Sequence, residues 1–490
     1  MKKNQNRLHA FFASAIVLLA TTTAALAQSK TEKIDQLISK YSEYGQFNGS
    51  ALVSEHGKVL FKKGYGMANM EWQIANQPDT KHRLGSITKQ FTAMLVLQLV
   101  QQGKLKLDVP ITTYLPDYPK ATGDRITIHQ LLTHTSGIPN YTDFPDFFKE
   151  KSRDPYTPEV FVKTFSDLPL QFTPGEKFSY SNSGYFLLGY LVEKASGKSY
   201  ESCLEENIFR PLKMSNSGFD RSEKILKNRA AGYEKRGDNY VNTSYIDMSI
   251  PYAAGSMYST VEDLYLWDQA LYTEQLLPAK FRDLLFKNYI AVGRNNESYG
   301  YGWFLYDIPN EKNGEKIKVI EHGGGINGFN TIISRIPADQ DLIVLLNNTG
   351  GANLGQMREA IRNILYDKPY EMPKRSLANA FVAAILEKGL PAGMDKFKAL
   401  KTDETYALRE GEMNSVGYEL LQRGKIKEAI EVFKINTETF PKSGNAYDSL
   451  GEAYLKDGNK KMAIDNYKKS IVLDPENENG KEVLKGLLKK

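Results

Sequence analysis

The sequence predicts an α/β sandwich, in which an antiparallel sheet is flanked by helices, followed by a smaller all-α domain. Strand patterns occur in two separate regions, at 49–66 and 316–347, and mainly helical patterns lie between them. A period of 34 residues begins after residue 410. The chain has 490 residues, more than one hydrophobic core usually serves, so two or more domains are expected.

The first 27 residues are predicted to be a signal peptide, at 1–27. Three basic residues precede the apolar run at 11–20, and Ala25-Leu26-Ala27 has the small-x-small pattern of a signal-peptidase site. The run is too short to span a bilayer comfortably, and no later stretch approaches the roughly 18 apolar residues of a membrane helix. We therefore expect an exported chain, periplasmic or secreted, without a stable membrane span after signal cleavage.

Composition and charge exclude several other classes of protein. Hydrophobic residues make up 41% and charged residues 25%, which is typical of a soluble globular protein. The formal net charge is only +5, and the predicted signal peptide carries three basic residues, so nucleic-acid binding is not indicated. The single cysteine, Cys203, has no partner for an intramolecular disulfide and is predicted to be a core residue or a bystander.

The first folded domain is predicted at 28–370. Apolar residues at 51–53 and 59–61 flank a turn and predict a hairpin. Three antiparallel strands are predicted later, at 317–320, 331–333 and 342–346, and helices at 88–102, 184–195, 261–271 and 354–366. We expect the sheet to be built from both ends of this domain, with the last helix covering it.

Beyond this domain, residues 371–410 are predicted to form linker or adaptor helices, with the clearest pattern at 377–386. Residues 411–490 hold two units of the 34-residue period, which aligns Gly417 with Gly451, Gly424 with Gly458, Ala429 with Ala463, Phe433 with Tyr467 and Pro441 with Pro475. The second unit resembles the tetratricopeptide repeat, in which small residues let two helices approach closely. Two repeats are marginal alone and need a cap from the 376–410 segment, a terminal helix at 480–489 or the first domain.

The first motif with chemical potential is Ser86-Ile87-Thr88-Lys89. A serine at the start of a helix lies near unpaired backbone N–H groups that favour a developing oxyanion. Lys89 lies one turn further on the same face, where its amine can reach the hydroxyl, and burial would lower the pKa of that amine so that it can act as a base. On its own, however, this string fits a capped amphipathic helix better.

A second motif, Tyr180-Ser181-Asn182, places a phenol and a carboxamide two positions apart, just before a predicted helix. The phenol can relay a proton between the serine and a leaving group, and the carboxamide can hold a substrate amide. Serine and asparagine also favour turns, and an ordinary turn is the simpler interpretation of this motif alone.

A third motif, His322-Gly323-Gly324-Gly325, ends a predicted strand. Glycines at that point would allow a substrate backbone to lie against the strand edge, and Gly325 could donate its backbone N–H. A lone histidine beside glycines is more often structural than catalytic. The order of the three motifs changes the interpretation of each.

Ser-x-x-Lys, then Tyr-x-Asn, then a His-x-Gly element on a late strand resembles the arrangement of serine β-lactamases and penicillin-binding proteins. The resemblance extends from about Gly49 to Tyr366, and segments 128–139 and 253–260 support it. It is nearest to the branch of class C β-lactamases, D-alanyl-D-alanine carboxypeptidases and related esterases, which carry Tyr-x-Asn. The resemblance implies a β-lactamase/transpeptidase-like fold.

The resemblance also implies a role for each matching residue. Ser86 would be the nucleophile, Lys89 its activating partner and Tyr180 the hydroxyl that shares proton transfer. Substrate would be bound by Asn182, His322, Gly324 and Gly325, and the backbone N–H groups of Ser86 and Gly325 would form the oxyanion hole. No metal or other cofactor is implied, and the six histidines show no paired ligand spacing.

His322 stands where many members of this family have lysine, which carries a permanent positive charge toward a substrate carboxylate. Imidazole is mostly neutral at pH 7. We therefore rank a D-amino-acid peptidase, carboxypeptidase or esterase above a true β-lactamase. The substrate is expected to be a small molecule or peptide, namely a cell-wall peptide, an ester or a β-lactam.

A different class of function is a catalytically silent penicillin-binding or scaffold protein that recruits a protein partner through residues 411–490. The presence of Ser86, Lys89, Tyr180 and Asn182 together argues against silence. The repeats could equally serve only as a packing extension of the first domain.

Overall fold

A computed structural model describes residues 28–236, 239–293, 296–309 and 314–489. The predicted signal peptide lies outside these residues. In the part of the chain that is described, no helix combines the length and apolar character needed to cross a bilayer.

An eight-stranded antiparallel sheet forms the centre of the first domain, as the sequence predicts. In spatial order its strands are Ile290–Ala291, Ser298–Tyr299, Phe304–Pro309, Lys316–Ile326, Phe329–Ile336, Asp341–Asn347, Gly49–Glu55 and Lys58–Tyr65. The first long strand pairs with the last one in register from Gly49 with Asn347 to Ser54 with Leu342. Both ends of the domain therefore meet in one sheet.

The sheet has three more strands than predicted, and all three lie at one edge. Two of them, Ile290–Ala291 and Ser298–Tyr299, have only two residues each, too few to show a periodic pattern. The third, Phe304–Pro309, ends at a proline that has no backbone N–H to donate. These features explain why the strand pattern is weak there.

The predicted hairpin at 49–66 is confirmed, with its turn at His56 and Gly57. Both turn residues have positive φ, at 51° and 70° respectively. That combination belongs to the tight two-residue turn whose twist matches the two strands it connects.

The two faces of the sheet are covered by separate helical layers. Because successive side chains of a strand point to opposite faces, Ala51 and Val53 join one core and Leu52 joins the other. The smaller core lies under Lys30–Glu43 and the predicted covering helix, which is Leu354–Leu365 in the structure. The larger core lies under the helices that carry Lys89 and Asn182.

The central helix of the larger layer is Thr88–Gln101, which is buried from Thr88 to Leu99 on all sides. The helices around it, with the short ones included, are Lys120–Gly123, Ile128–Leu132, Pro158–Val162, Asn182–Ser196, Tyr200–Leu204, Arg210–Leu212, Tyr252–Gly255, Val261–Ala270 and Ala279–Arg282. Tighter or wider turns occur at Gly85–Ile87, Ile111–Thr113, Tyr141–Asp143, Phe147–Lys151, Glu205–Phe209 and Asp283–Phe286. Cys203 is buried among these helices, so of the two predicted alternatives it is the core residue.

Several two- or three-stranded ribbons complete the first domain. They are Met67–Asn69 with Ile74–Ala75, His82–Arg83 with Met257–Ser259 and Gly218–Phe219, and Tyr233–Arg236 with Asn239–Asn242. The strand His82–Arg83 ends two residues before Gly85, and the Leu84 N–H donates to the Met257 carbonyl oxygen at 2.8 Å, which anchors the start of the Ser86 turn.

The C-terminal part of the chain is helical and has its own hydrophobic core. Its helices are Leu377–Lys388, Leu390–Leu400, Glu410–Gln422, Ile426–Thr439, Gly444–Lys456, Lys460–Leu473 and Glu478–Leu488, with a small parallel ribbon of Arg375–Ser376 and Tyr406–Ala407. Buried residues such as Phe381 and Phe397 share this core with Phe433 and Tyr467. The segment predicted as linker or adaptor thus packs with the helices that follow it.

The 34-residue period has a direct packing cause. A β-carbon on Gly417 would lie 2.4 Å from the ring of Phe433, and one on Gly451 would lie 3.1 Å from the ring of Tyr467. In each unit the first helix therefore presents a glycine to an aromatic side chain of the second helix. A side chain at Gly417 would overlap the Phe433 ring, and one at Gly451 would make an unusually tight contact with the Tyr467 ring.

Candidate active site

Ser86 lies on the tight turn Gly85–Ile87, which leads directly into the helix Thr88–Gln101. Gly85 has a φ of +55°, a backbone conformation that favours glycine. A β-carbon at this position would come within 2.8 Å of the Gly325 nitrogen. Gly85 was not predicted as a site residue, yet its lack of a side chain lets the serine turn touch the glycine strand.

Gly324 makes the second close approach between the strand and the serine turn. A β-carbon there would lie 1.9 Å from the carbonyl oxygen of Leu84. The hydroxyl of Thr331, on the neighbouring strand, donates a hydrogen bond to the same carbonyl at 2.7 Å. The strand is thereby held against the turn, and the backbones of Ser86 and Gly325 line one cavity.

Lys89 is fully buried and its amine makes three hydrogen bonds. Nζ lies 3.0 Å from Ser86 Oγ, 2.9 Å from Asn182 Oδ1 and 2.8 Å from the Ala254 carbonyl oxygen. The predicted pair of serine and lysine is therefore in direct contact. Ala254 belongs to segment 253–260, for which the sequence suggested no specific role.

Burial lowers the pKa of Lys89 well below its usual value, because the low-dielectric interior disfavours the charged form. A neutral amine has two N–H groups and one lone pair. It can donate to Asn182 and to Ala254 while its lone pair accepts the Ser86 proton. The contacts of Lys89 are therefore those expected of a general base that accepts the Ser86 proton.

Tyr180 lies on the other side of this pair. The Lys89 Nζ lies 4.8 Å from the centre of its ring, and its hydroxyl interacts with Ser86. Burial raises the pKa of Tyr180 far above its usual value. The phenol consequently keeps its proton near neutral pH and is present as a hydrogen-bond donor.

His134, which was not predicted as a site residue, holds Tyr180 in place. Its carbonyl oxygen accepts from the Ser179 N–H at 2.8 Å, and its Nδ1 accepts from the Ser181 N–H at 3.1 Å. Its ring also packs on the Tyr180 ring, with 4.3 Å between centres. Histidine thus fixes the backbone on both sides of the phenol and the phenol itself.

Asn182 begins the helix Asn182–Ser196, and the hydroxyl of Ser181 caps that helix. Its side-chain oxygen accepts from Lys89, and its side-chain nitrogen donates to the hydroxyl of Thr142 at 3.3 Å. Its backbone N–H donates to Asn140 Oδ1 at 2.9 Å. Asn182 therefore orients the Lys89 amine, in addition to lining the cavity beside Ser86.

His322 is predicted to contact substrate, and the structure buries its ring. It is only 2% exposed, with Nδ1 2.6 Å from the Gly323 carbonyl oxygen and Nε2 3.1 Å from the Tyr299 hydroxyl. The carbonyl can only accept, so the ring proton lies on Nδ1 and Nε2 accepts from Tyr299. Both nitrogens are already engaged within the protein.

The same burial, together with the nearby Lys89, lowers the pKa of His322 to about 3. The ring is therefore neutral at physiological pH and offers no positive charge to a substrate carboxylate. His322 is also in ring contact with Phe304 and Tyr180. In this structure the His322 side chain packs against Tyr180.

The predicted residues Ser86, Lys89, Tyr180, Asn182, Gly324 and Gly325 are thus gathered at one place, where two helices meet the end of a strand. Among the residues that the structure describes, no group of three or more His, Cys, Asp or Glu side chains is placed to hold a metal ion. The arrangement can transfer a proton from a hydroxyl to an amine beside two backbone N–H groups.

Comparison with known proteins places this site in a family. The family model described as Beta-lactamase matches residues 16–366. The protein PbpX of Bacillus subtilis (strain 168) is 31% identical over 69% of this chain and 80% of its own length. Penicillin-binding protein 4* of the same strain is 29% identical over 71% of this chain and 79% of its own length.

Solved structures agree with this match. The D-stereospecific amidohydrolase from Streptomyces sp. is 27% identical, with a TM-score of 0.59 over 67% of this chain and 98% of its own length. The α/β fold with its antiparallel sheet is thus the fold of β-lactamases and transpeptidases. The chain belongs to the β-lactamase and penicillin-binding protein family, in which it is a serine hydrolase.

Proposed function

We propose that this chain is an amidase, peptidase or esterase that hydrolyses its substrate through an acyl-enzyme on Ser86. The observation that carries the proposal is the Lys89 amine, which is buried, desolvated and 3.0 Å from Ser86 Oγ. The penicillin-binding relatives and the D-stereospecific amidohydrolase support a role on amide substrates.

Acylation would begin when Lys89 Nζ takes the Ser86 proton as Oγ bonds to the carbonyl carbon of the substrate. The carbonyl oxygen would become an oxyanion, stabilised by the backbone N–H groups of Ser86 and Gly325. When the bond to the leaving group breaks, Tyr180 would donate a proton to that group and regain one from Lys89. These steps leave an ester on Ser86 and a neutral leaving group.

Deacylation would run the same relay with water as nucleophile. The neutral Lys89 accepts a proton from water, directly or through Tyr180, as the water oxygen attacks the ester carbonyl. Collapse of the second oxyanion breaks the bond to Ser86 Oγ, which takes back a proton. The products are a carboxylic acid and the restored serine.

Hydrolysis of β-lactams is the lower-ranked alternative. The β-lactam antibiotics that this family hydrolyses carry a carboxylate, and His322 is neutral and engaged by Gly323 and Tyr299. The resemblance to class C enzymes through Tyr180-Ser181-Asn182 therefore supports the proton relay more than it supports β-lactamase activity.

A substrate panel tests this ranking. We expect Ser86-dependent hydrolysis of a chromogenic ester and of a D-amino-acid anilide or D-alanyl-D-alanine peptide, with much slower turnover of a chromogenic cephalosporin. The measurement is kcat/KM for each substrate with the wild type and with Ser86→Ala. A cephalosporin value far above the others would contradict the ranking, and equal activity of Ser86→Ala would contradict the mechanism.

We also propose that the protein is exported after removal of residues 1–27, that residues 28–370 form the catalytic domain, and that residues 411–490 form tetratricopeptide repeats capped by 371–410. The separate C-terminal core supports the last assignment. The repeats would extend the protein or bind a protein partner, and the site chemistry argues against a silent scaffold.

Polar contacts between the two domains lie at exposed residues, which leads to a prediction about truncation. Arg375 pairs with Glu43 at 3.3 Å and lies over the Tyr44 ring, and Gln46 donates to the Lys374 carbonyl at 2.7 Å. Such exposed pairs contribute little to stability. A chain that ends at Tyr370 is therefore expected to keep most of its kcat/KM on the chromogenic ester, whereas loss of activity with retained folding would show that the repeats complete the site.

A further inference from the structure

The cavity beside Ser86 has an apolar wall that the proposed mechanism does not use. Its volume is about 120 Å³, and Ser86, Asn182 and Gly325 lie on its wall, whereas Tyr180 does not. Tyr180 donates to the leaving group in the proposed mechanism. The cavity therefore lies on the side of the carbonyl that holds the acyl part of the substrate.

Six of the fifteen residues that line this cavity carry aromatic or branched apolar side chains. They are Tyr141, Phe147, Phe148, Ile246, Ile250 and Ile326. None of the residues that line the cavity is Asp, Glu, Lys or Arg. A charged group placed there would lose its hydration without gaining a partner of opposite charge.

The polar residues of the wall already have partners inside the protein. The Thr142 hydroxyl accepts from Asn140 Nδ2 at 2.7 Å as well as from Asn182. Asn327 Nδ2 donates to the Ser244 carbonyl at 2.9 Å. The Thr142 hydroxyl oxygen and the Asn327 side-chain nitrogen are thus engaged within the protein, and apolar contact is the main interaction that the wall offers to a substrate side chain.

The size and mouth of the pocket define the group that fits. A dry apolar cavity of about 150 Å³ accepts benzene, so a partly open one of about 120 Å³ can take most of a phenyl ring or a branched alkyl group. Phe147 is buried at the base, and Phe148 is 54% exposed beside it, with 5.0 Å between ring centres. Phe148 is placed to cover a bound ring at the mouth.

We propose that the acyl part of the substrate carries an uncharged aromatic or branched aliphatic side chain, which binds in this pocket against Phe147 and Phe148. This inference rests on the proposed acyl-enzyme function. It narrows the substrate class to amides or esters of apolar acyl groups, and it makes Phe148 a specificity-determining residue.

The test varies the acyl group and holds the leaving group constant. p-Nitrophenyl esters of acetate, isovalerate, phenylacetate and succinate are compared by kcat/KM. We expect phenylacetate and isovalerate to exceed acetate, and the negatively charged hemisuccinate to be the poorest. Equal values across the series, or a preference for hemisuccinate, would overturn the inference, whereas absence of Ser86-dependent hydrolysis of every ester would overturn the proposed function itself.

Two substitutions of the exposed Phe148 sharpen the test without disturbing a buried core. Phe148→Ala is expected to lower the ratio of phenylacetate to acetate kcat/KM roughly tenfold, because it removes the ring that covers the bound group. Phe148→Lys is expected to raise the ratio of hemisuccinate to acetate. Val160→Ala, at a similarly exposed residue outside the pocket, is the matched control, and unchanged ratios in both Phe148 variants would contradict the assignment.

Discussion

Lys89→Met is expected to lower kcat/KM by about 10³-fold or more, the largest effect of any change away from the nucleophile. Methionine fills a similar volume and suits the buried position, but it cannot accept the Ser86 proton. It also leaves the Asn182 and Ala254 oxygens without a donor, so far-UV circular dichroism and thermal melting should accompany the kinetics. Lys163→Met, at an exposed lysine, is the control.

The same residue sets the expected pH dependence. Burial depresses the pKa of Lys89, so its amine is neutral above that lowered pKa and protonated below it. Activity should therefore be present at neutral and higher pH and fall as the pH drops through the pKa of Lys89. A profile of kcat/KM against pH measures this acidic limb for the free enzyme. A kcat/KM of Lys89→Met within a few fold of the wild-type value would contradict the role of Lys89 as base.

Tyr180→Phe is expected to lower kcat/KM on an anilide by about 10²-fold. The ring remains packed on His134, so the change removes the hydroxyl and little else. An amine leaving group needs a proton more than p-nitrophenolate does, because p-nitrophenolate is stable as an anion. The loss should consequently be larger for the anilide than for the p-nitrophenyl ester of the same acyl group.

Comparison of these two substrates distinguishes a proton donor from a structural residue. A loss of equal size on both would indicate that Tyr180 only shapes the site. Tyr190→Phe provides a matched control, since that hydroxyl interacts with Lys194 at the surface rather than with the serine. Its values on both substrates should stay at the wild-type level.

The contact of Ser86 with Lys89 follows from local geometry, which explains why a short motif could predict it. Residues three apart at a helix start share a face, so only one turn of structure is needed. The convergence of Tyr180 and Gly325 on the same point depends on long-range packing and was predicted by resemblance. The sheet was likewise predictable where its strands are long and contain a continuous apolar run, as at Gly49–Glu55 and Asp341–Asn347.

Other features depend on contacts that no local pattern reveals. Gly85 matters because its backbone approaches Gly325, and His134 matters because it accepts from the backbone beside Tyr180. His322 is a motif residue whose burial was not predicted from the sequence. Side chains two residues apart in a strand point to the same face of the sheet. His322 therefore points into the core, as the buried Ile320 does.

Covalent labelling tests the central claim, that Ser86 is the nucleophile, more directly than any rate. Purified protein is treated with a fluorophosphonate probe, which reacts with an activated serine hydroxyl, then digested and mapped by tandem mass spectrometry. We predict a single modified serine, Ser86, with no labelling of Ser86→Ala and greatly slowed labelling of Lys89→Met. A probe found on another serine, or a Ser86→Ala protein that labels as fast as the wild type, would contradict the account.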